Sequence, residues 1–207
     1  MKYMQKKLSS DSLRERIFFS VFLFLVLFFG TMILSYYLLP PELLKSKNPL
    51  QNWETSNNTF ILTFQIFFYN MLSVTVIVLA SLFAKKKEWE TNYLSVGYIT
   101  FFALIFMNGI VVGTWSFSVD SDPVPLPGRI IRTFDLIHRA GLWEMMGQLL
   151  ITCSVAHIAA VLTNGKDTVT RKMKDIHLIK SEKGAFAFGI ILMLIGAIVE
   201  SFAINAL

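Results

Sequence analysis

Five stretches of this chain are each long and apolar enough to cross a lipid bilayer, and nothing else in the sequence constrains the fold as strongly. A span needs about 20 mainly apolar residues, because the hydrocarbon core is about 30 Å thick and a helix rises about 1.5 Å per residue. The stretches are 17–39, 60–84, 94–119, 143–162 and 185–204. Pro40 and Pro41 close the first, since proline cannot continue a helix. Lys85, Lys86 and Lys87 stop the second, and Asp120-Ser121-Asp122-Pro123 end the third. The fourth carries Glu144, Gln148 and His157 and is followed by Thr163-Asn164-Gly165-Lys166. The first reads as a retained anchor rather than a leader, because its apolar run is long and no small-residue cleavage site follows. The expected fold is an all-α integral membrane protein. It is a bundle of five transmembrane helices plus a short amphipathic interfacial helix, in a single membrane domain over 1–207.

Composition agrees. Hydrophobic residues make up 54% and charged residues 16%, against roughly 25% charged in a soluble domain. Disorder, a disulfide scaffold and an ordinary cytosolic enzyme are excluded. The one cysteine, Cys153, lies in an apolar run and is expected to be an inert buried thiol.

The formal charge of +5 is a topology signal. Fourteen Lys and Arg fall in 1–16, in the connection after the second span and in the connection after the fourth; five fall in the other connections. Basic residues in short loops stay on the cytoplasmic side. The expected orientation is therefore N-terminus cytoplasmic and C-terminus extracellular in a bacterial plasma membrane. Nucleic acid is not an expected partner; membrane lipid is.

Two connections have helical patterning. Over 129–142, Ile130, Ile131, Phe134 and Ile137 share one helical face, and Arg129, Arg132, Asp135 and Arg139 the other. This predicts an amphipathic helix, lying on the interface or dipping into the membrane. After the fourth span, Val169, Met173, Ile176 and Lys180 have helical spacing, with Arg171, Lys172 and Lys174 elsewhere around the helix. That basic helix is expected either to lie on anionic lipid or to dock a cytoplasmic partner through Arg171, Lys172 and Lys174.

Polar groups in hydrocarbon are costly, so they face other helices or a cavity. The polar-core candidates are Asn70, Asn108, Glu144, Gln148 and Glu200. They mark either interhelical packing bonds or a polar cavity for a substrate, ion or proton. Gly109 and Gly113 form a G-x-x-x-G pair, and Gly189 and Gly196 lie on the Glu200 face of the fifth span, so all four are helix-packing candidates. His157 is expected to be a hydrogen-bonded packing residue. The three histidines do not share a site, so no metal is expected. No phosphate loop, G-x-S-x-G or H-E-x-x-H occurs. No cofactor and no catalytic residue is expected, and the chain is read as not an enzyme. An intramembrane enzyme using Glu144 and His157 is the third alternative.

The run Phe67-Phe68-Tyr69-Asn70, then Phe106-Met107-Asn108-Gly109-Ile110-Val111-Val112-Gly113, then Ala140-Gly141-Leu142-Trp143-Glu144 resembles the stage II sporulation protein M family. The similarity covers roughly 60–165 and the five-span plan. It departs at Ala140, where the family has a histidine. The resemblance implies a small membrane protein working inside a larger assembly. One branch is a scaffold in peptidoglycan remodelling. Another sits in circular bacteriocin clusters beside ATP-binding-cassette components and is linked to peptide export or immunity. The leading expectation is a non-catalytic subunit working with partner membrane subunits and a cytoplasmic ATPase to export, or confer immunity to, a hydrophobic peptide or lipid-like substrate. The alternative is a scaffold recruiting cell-wall enzymes.

Overall fold

The computed structural model describes residues 2–45, 47, 56–86, 93–117, 122–135 and 141–205, with the side chains of Lys2 and Met173 not described. Helix α1 (Lys2–Leu8) leads into α2 (Leu13–Leu38). Then come α3 (Thr59–Ser81), α4 (Val96–Thr114), α5 (Leu126–Thr133), α6 (Gly141–Ser154) and α7 (Lys180–Asn205). Among the described residues, four of these, α2, α3, α4 and α7, are long and apolar enough to cross a membrane.

Local chemistry sets the starts. The Ser12 hydroxyl accepts from Glu15 N–H at 3.5 Å, Asn58 Oδ1 from Phe60 and Ile61 N–H at 3.0 and 3.3 Å, and Ser95 from Gly97 N–H at 3.1 Å. Each occupies a first-turn donor that would otherwise be left open. Aromatic and aliphatic side chains then point outward as well as inward. Phe18, Phe22, Phe60, Phe64, Phe68, Ile99, Phe188 and Phe202 are exposed at the outside of the bundle, which suits hydrocarbon rather than water.

The fourth expected span is corrected. Residues 143–162 do not form one helix: α6 has 14 residues, about 21 Å at about 1.5 Å per residue. Its place is nevertheless in the bundle. Met145, Leu149, Cys153, Gln148 and Thr152 are buried, and its most extensive packing is on α7. Beyond Ser154 the apolar run turns and becomes strand β3 (Val161–Thr163). The cause is a competing set of partners. Leu82 C=O, at the open end of α3, accepts from Ala160 N–H at 2.8 Å and Val161 N–H at 2.9 Å.

This strand belongs to a four-stranded sheet that the all-α expectation does not contain. Strands β1 (Phe83–Lys85), β2 (Leu94–Ser95), β3 and β4 (Thr168–Thr170) are ordered β2-β1-β3-β4. Strand β1 pairs antiparallel with β2 (Ala84 opposite Ser95) and parallel with β3 (Ala84 opposite Leu162). Strands β3 and β4 form a hairpin with Thr163 opposite Thr168. Asn164 Oδ1 accepts from Lys166 and Asp167 N–H, and Gly165 takes φ +96° in that turn, a conformation glycine adopts without a Cβ penalty.

The sheet lies at the basic end of the bundle, where the N-termini of α2, α4 and α7 meet the C-termini of α3 and α6. The expected basic helix is corrected with it. Residues 169–180 form β4, a short 3-10 turn at Met173–Asp175 and the approach to α7. Thr168-Val169-Thr170 is β-branched throughout, and such side chains pack better on a pleated strand than in a helix.

The expected amphipathic helix over 129–142 is shifted. Helix α5 starts at Leu126 and ends at Thr133; Ile137, His138, Arg139 and Ala140 lie outside the described residues. Arg129, expected on a polar outer face, is buried, while Ile131 and Phe134 are exposed. The Arg129 guanidinium lies over Tyr36, near the end of α2, and the Phe134 ring stacks on Phe29 at 5.5 Å, midway along α2. Helix α5 therefore runs down the side of α2 from its end towards its middle, rather than lying across the top.

Candidate functional site: an intramembrane polar cluster

Helices α3, α6 and α7 bring three of the polar candidates together. Asn70 lies midway along α3, Glu144 in the first turn of α6, and Glu200 in the second half of α7. The Asn70 side-chain amide donates to Glu144 Oε1. The Glu144 and Glu200 carboxyl groups lie close enough to interact with each other. Among the described residues no lysine or arginine acts on Glu144. One turn along α6, Gln148 is 7% exposed, and its Oε1 has no partner among the described residues. Helical side chains lean towards the helix N-terminus, which carries the Gln148 amide towards Glu144.

The packing around this cluster is close. Helices α6 and α7 meet at Gly147 and Gly189, where a Cβ on Gly147 would sit 2.6 Å from Gly189 O. Thr63 and Ser201 bond at 2.6 Å one level above. Gly196 is buried on the same helix. Gly109 and Gly113 lie against α2, where a Cβ on Gly109 would be 2.9 Å from Phe28 O. This contact fixes the rotation of α4 and settles the fate of Asn108. Asn108 is exposed beside Phe106 and Met107; its expected convergence with Asn70, Glu144 and Glu200 does not occur.

The basic end holds a second polar group that sequence reasoning missed. Arg16 is fully buried and Glu182 is 4% exposed. Arg16 Nη2 donates to Glu182 Oε1 at 2.5 Å, and Nη1 donates to Ser10 O at 3.0 Å. Nη1 also meets His157 Nδ1 at 2.7 Å, and Glu182 Oε2 accepts from Ile179 N–H at 3.1 Å. Arg16 thus joins the starts of α2 and α7 to the turn after α6. One signal was available: Ser12-x-x-Glu15 is a helix-start pattern, which puts Arg16 inside the helix rather than in a solvated tail. Of the expected docking set, Lys172 and Lys174 are exposed, but Arg171 turns inward and donates to His157 O at 3.1 Å.

His157 is held below the usual histidine range, first by burial and then by the Arg16 guanidinium. The unfolded chain therefore binds a proton more readily than the folded one as pH falls through the ordinary histidine range. Stability contributed by the neutral ring is present above that range and is lost as pH falls towards the lowered folded value. Thermal unfolding in detergent should show Tm falling from pH 7.5 to pH 5.5 more in the wild type than in His157→Gln. Equal slopes would show that His157 does not titrate against folding.

A family model described as Stage II sporulation protein M matches residues 19–203 of the chain. No curated protein and no solved structure matches it.

Proposed function

The chain belongs to the stage II sporulation protein M family, and from that premise we propose that it is a non-catalytic membrane subunit working with a separate ATPase of the ATP-binding-cassette type. The assembly exports, or gives immunity to, a hydrophobic peptide or lipid-like molecule. One observation carries this reading: the Asn70–Glu144–Glu200 cluster lies among helices α3, α6 and α7 and has, among the described residues, no cation to neutralise it. Intramembrane carboxyl groups are costly and mark substrate or proton pathways more often than passive packing. The short α6 adds to it. In transporters, discontinuous helices place polar groups at mid-depth.

Two surfaces suit partners. Asn108 presents an amide among exposed apolar side chains, where a second membrane subunit supplies a bond that lipid does not. Lys172 and Lys174 are exposed beside the hairpin, and the basic end is the cytoplasmic one by its Lys and Arg excess.

Protein solubilised from native membranes should carry a partner that an azido-ATP photolabel marks. Absence of any nucleotide-binding partner overturns the reading, as does substrate turnover by the pure chain alone. Glu144→Gln should leave the yield of folded protein unchanged and lower substrate-stimulated ATP hydrolysis by the complex about tenfold, the loss expected for one charged hydrogen-bonding group. A variant that misfolds in proportion to its lost activity would make the cluster structural.

A further inference from the structure

At the end of the bundle opposite the basic end, a cavity of about 300 Å³ is lined by Tyr36, Leu39, Pro41, Gly113, Thr114 and Arg129. Arg129 is 7% exposed. Its Nε donates to Val124 O at 2.7 Å, and its Nη1 donates to Val112 O at 3.0 Å and Gly113 O at 2.5 Å. The guanidinium therefore caps the last turn of α4, where carbonyls lack partners within the helix. It is flanked by two rings, Tyr36 at 4.7 Å and Trp115 at 5.0 Å. Trp115 takes a left-handed backbone, φ 56°, to close that turn. Such a conformation is uncommon for a bulky residue.

What the arrangement lacks, among the described residues, is an anion. Among the described residues Arg129 has no carboxylate partner. The nearby Glu42 is paired with Lys45 at 2.8 Å and donates its own N–H to Thr114 O at 2.7 Å. Nε and Nη1 of Arg129 are occupied by carbonyls, and Nη2 has no partner among the described residues. A buried guanidinium with one face of its fork open to a cavity is suited to a phosphate oxygen, which it meets with a charge-assisted bond.

The surroundings say which kind of phosphate. Tyr36, Tyr37 and Trp115 cluster at this level of the bundle, and Tyr37, Leu38 and Leu39 are exposed to the outside. Tyrosine and tryptophan favour the headgroup level of a membrane. The cavity therefore stands where lipid phosphates are, with apolar walls at Leu39 and Pro41.

We propose that the Arg129 cavity is a binding site for the phosphate group of an anionic phospholipid. The bound lipid completes the charge balance of Arg129 and fixes α5 against the ends of α2 and α4. It is a site separate from the Asn70–Glu144–Glu200 cluster and does not depend on what that cluster does.

The test is native mass spectrometry of the delipidated, detergent-solubilised full chain, titrated with phosphatidylglycerol, diacylglycerol or inorganic phosphate. Phosphatidylglycerol should be retained about tenfold more than diacylglycerol, the difference one charge-assisted hydrogen bond makes. Arg129→Gln should abolish that preference. Because it also removes the cap on α4, Leu39→Trp serves as the second variant: it fills the cavity from the rim and leaves every Arg129 bond in place. It too should lower retention about tenfold, with unchanged Tm before lipid is added. Equal retention of phosphatidylglycerol and diacylglycerol overturns the proposal, as does undiminished retention in the folded Leu39→Trp variant. If inorganic phosphate binds as tightly as the lipid, the lipid assignment is overturned in favour of the free anion.

Discussion

Glu182→Ala is expected to cost about 3–5 kcal/mol of folding stability, because it leaves the Arg16 charge buried without its counter-ion. Arg16 is wholly covered, so water cannot replace the lost carboxylate at low cost. The surrounding contacts do not compensate. Nη1 already donates to Ser10 O, His157 offers a ring nitrogen rather than a charge, and Nε has no partner among the described residues. For a chain of this length the loss corresponds to a fall on the order of 10 °C in Tm. The opposite result is expected when both partners go. Arg16→Met combined with Glu182→Leu keeps the volume and removes both desolvation costs, so the double variant should be far closer to the wild type than either single one. Thermal unfolding of the wild type, Arg16→Met, Glu182→Leu and the double variant in one detergent gives the coupling directly. If Glu182→Ala costs under about 1 kcal/mol, the pair behaves as a solvated surface bridge and the description of the basic end is wrong.

This ion pair also shows where the sequence was legible and where it was not. Counting Lys and Arg assigned Arg16 to a topology signal, which concerns a loop. Its burial depends on residues 141 and 166 positions away, His157 and Glu182, and no local pattern carries that information. The long apolar helices were legible for the converse reason. Length and hydropathy are local quantities, and α2, α3, α4 and α7 follow from them. The break after Ser154 was not, because the residues around it are mainly apolar, and a short apolar run reads equally as buried helix or buried strand. The deciding partner is Leu82 C=O, on a different helix. One local signal was present. Asn164-Gly165 between β-branched Thr163 and Thr168-Val169-Thr170 is a hairpin signature, and it competes with the helical spacing of Val169, Met173 and Ile176.

The polar cluster divides similarly. Asn70, Glu144 and Glu200 are polar groups within apolar spans, and their cost in hydrocarbon makes their inward placement readable from sequence. Asn108 is the same kind of residue, yet it faces out. Gly109 and Gly113 turn α4 so that its small face meets Phe28, Thr31 and Ser35 on α2. Backbone approach at the glycines outweighs one amide, since each helix has only one rotation and the larger contact selects it. Arg129 fails as an amphipathic assignment on the same principle: the carbonyls of Val112 and Gly113 at the end of α4 are better partners for a guanidinium than an interface shared with lipid and water.

Gly147→Ala and Gly30→Ala are expected to act in opposite directions although they are the same substitution in two helices. A Cβ on Gly147 would lie 2.6 Å from Gly189 O and 2.5 Å from Met193 Cγ. The carbonyl belongs to the backbone of α7 and cannot rotate away, so α6 and α7 must separate along their most extensive contact. Overpacking of that kind costs about 1–3 kcal/mol, and the upper part of that range is expected because the obstacle is a main-chain atom. Gly30 in α2 faces open space. There alanine adds no clash and removes backbone freedom from the unfolded chain, so a gain of about 0.5–1 kcal/mol is expected. Sequence patterning did not separate them. Gly147 has Trp143 and Ile151 four residues away on either side, so no small-x-x-x-small motif marks it. Tm values of the two variants in one detergent decide the matter. Two losses of similar size would mean that helical glycines here share a general role, and two gains would mean that α6 does not approach α7 at Gly147. A loss at Gly147 with a gain at Gly30 places the short fourth helix against α7 by backbone contact, the arrangement that holds Glu144 within reach of Glu200.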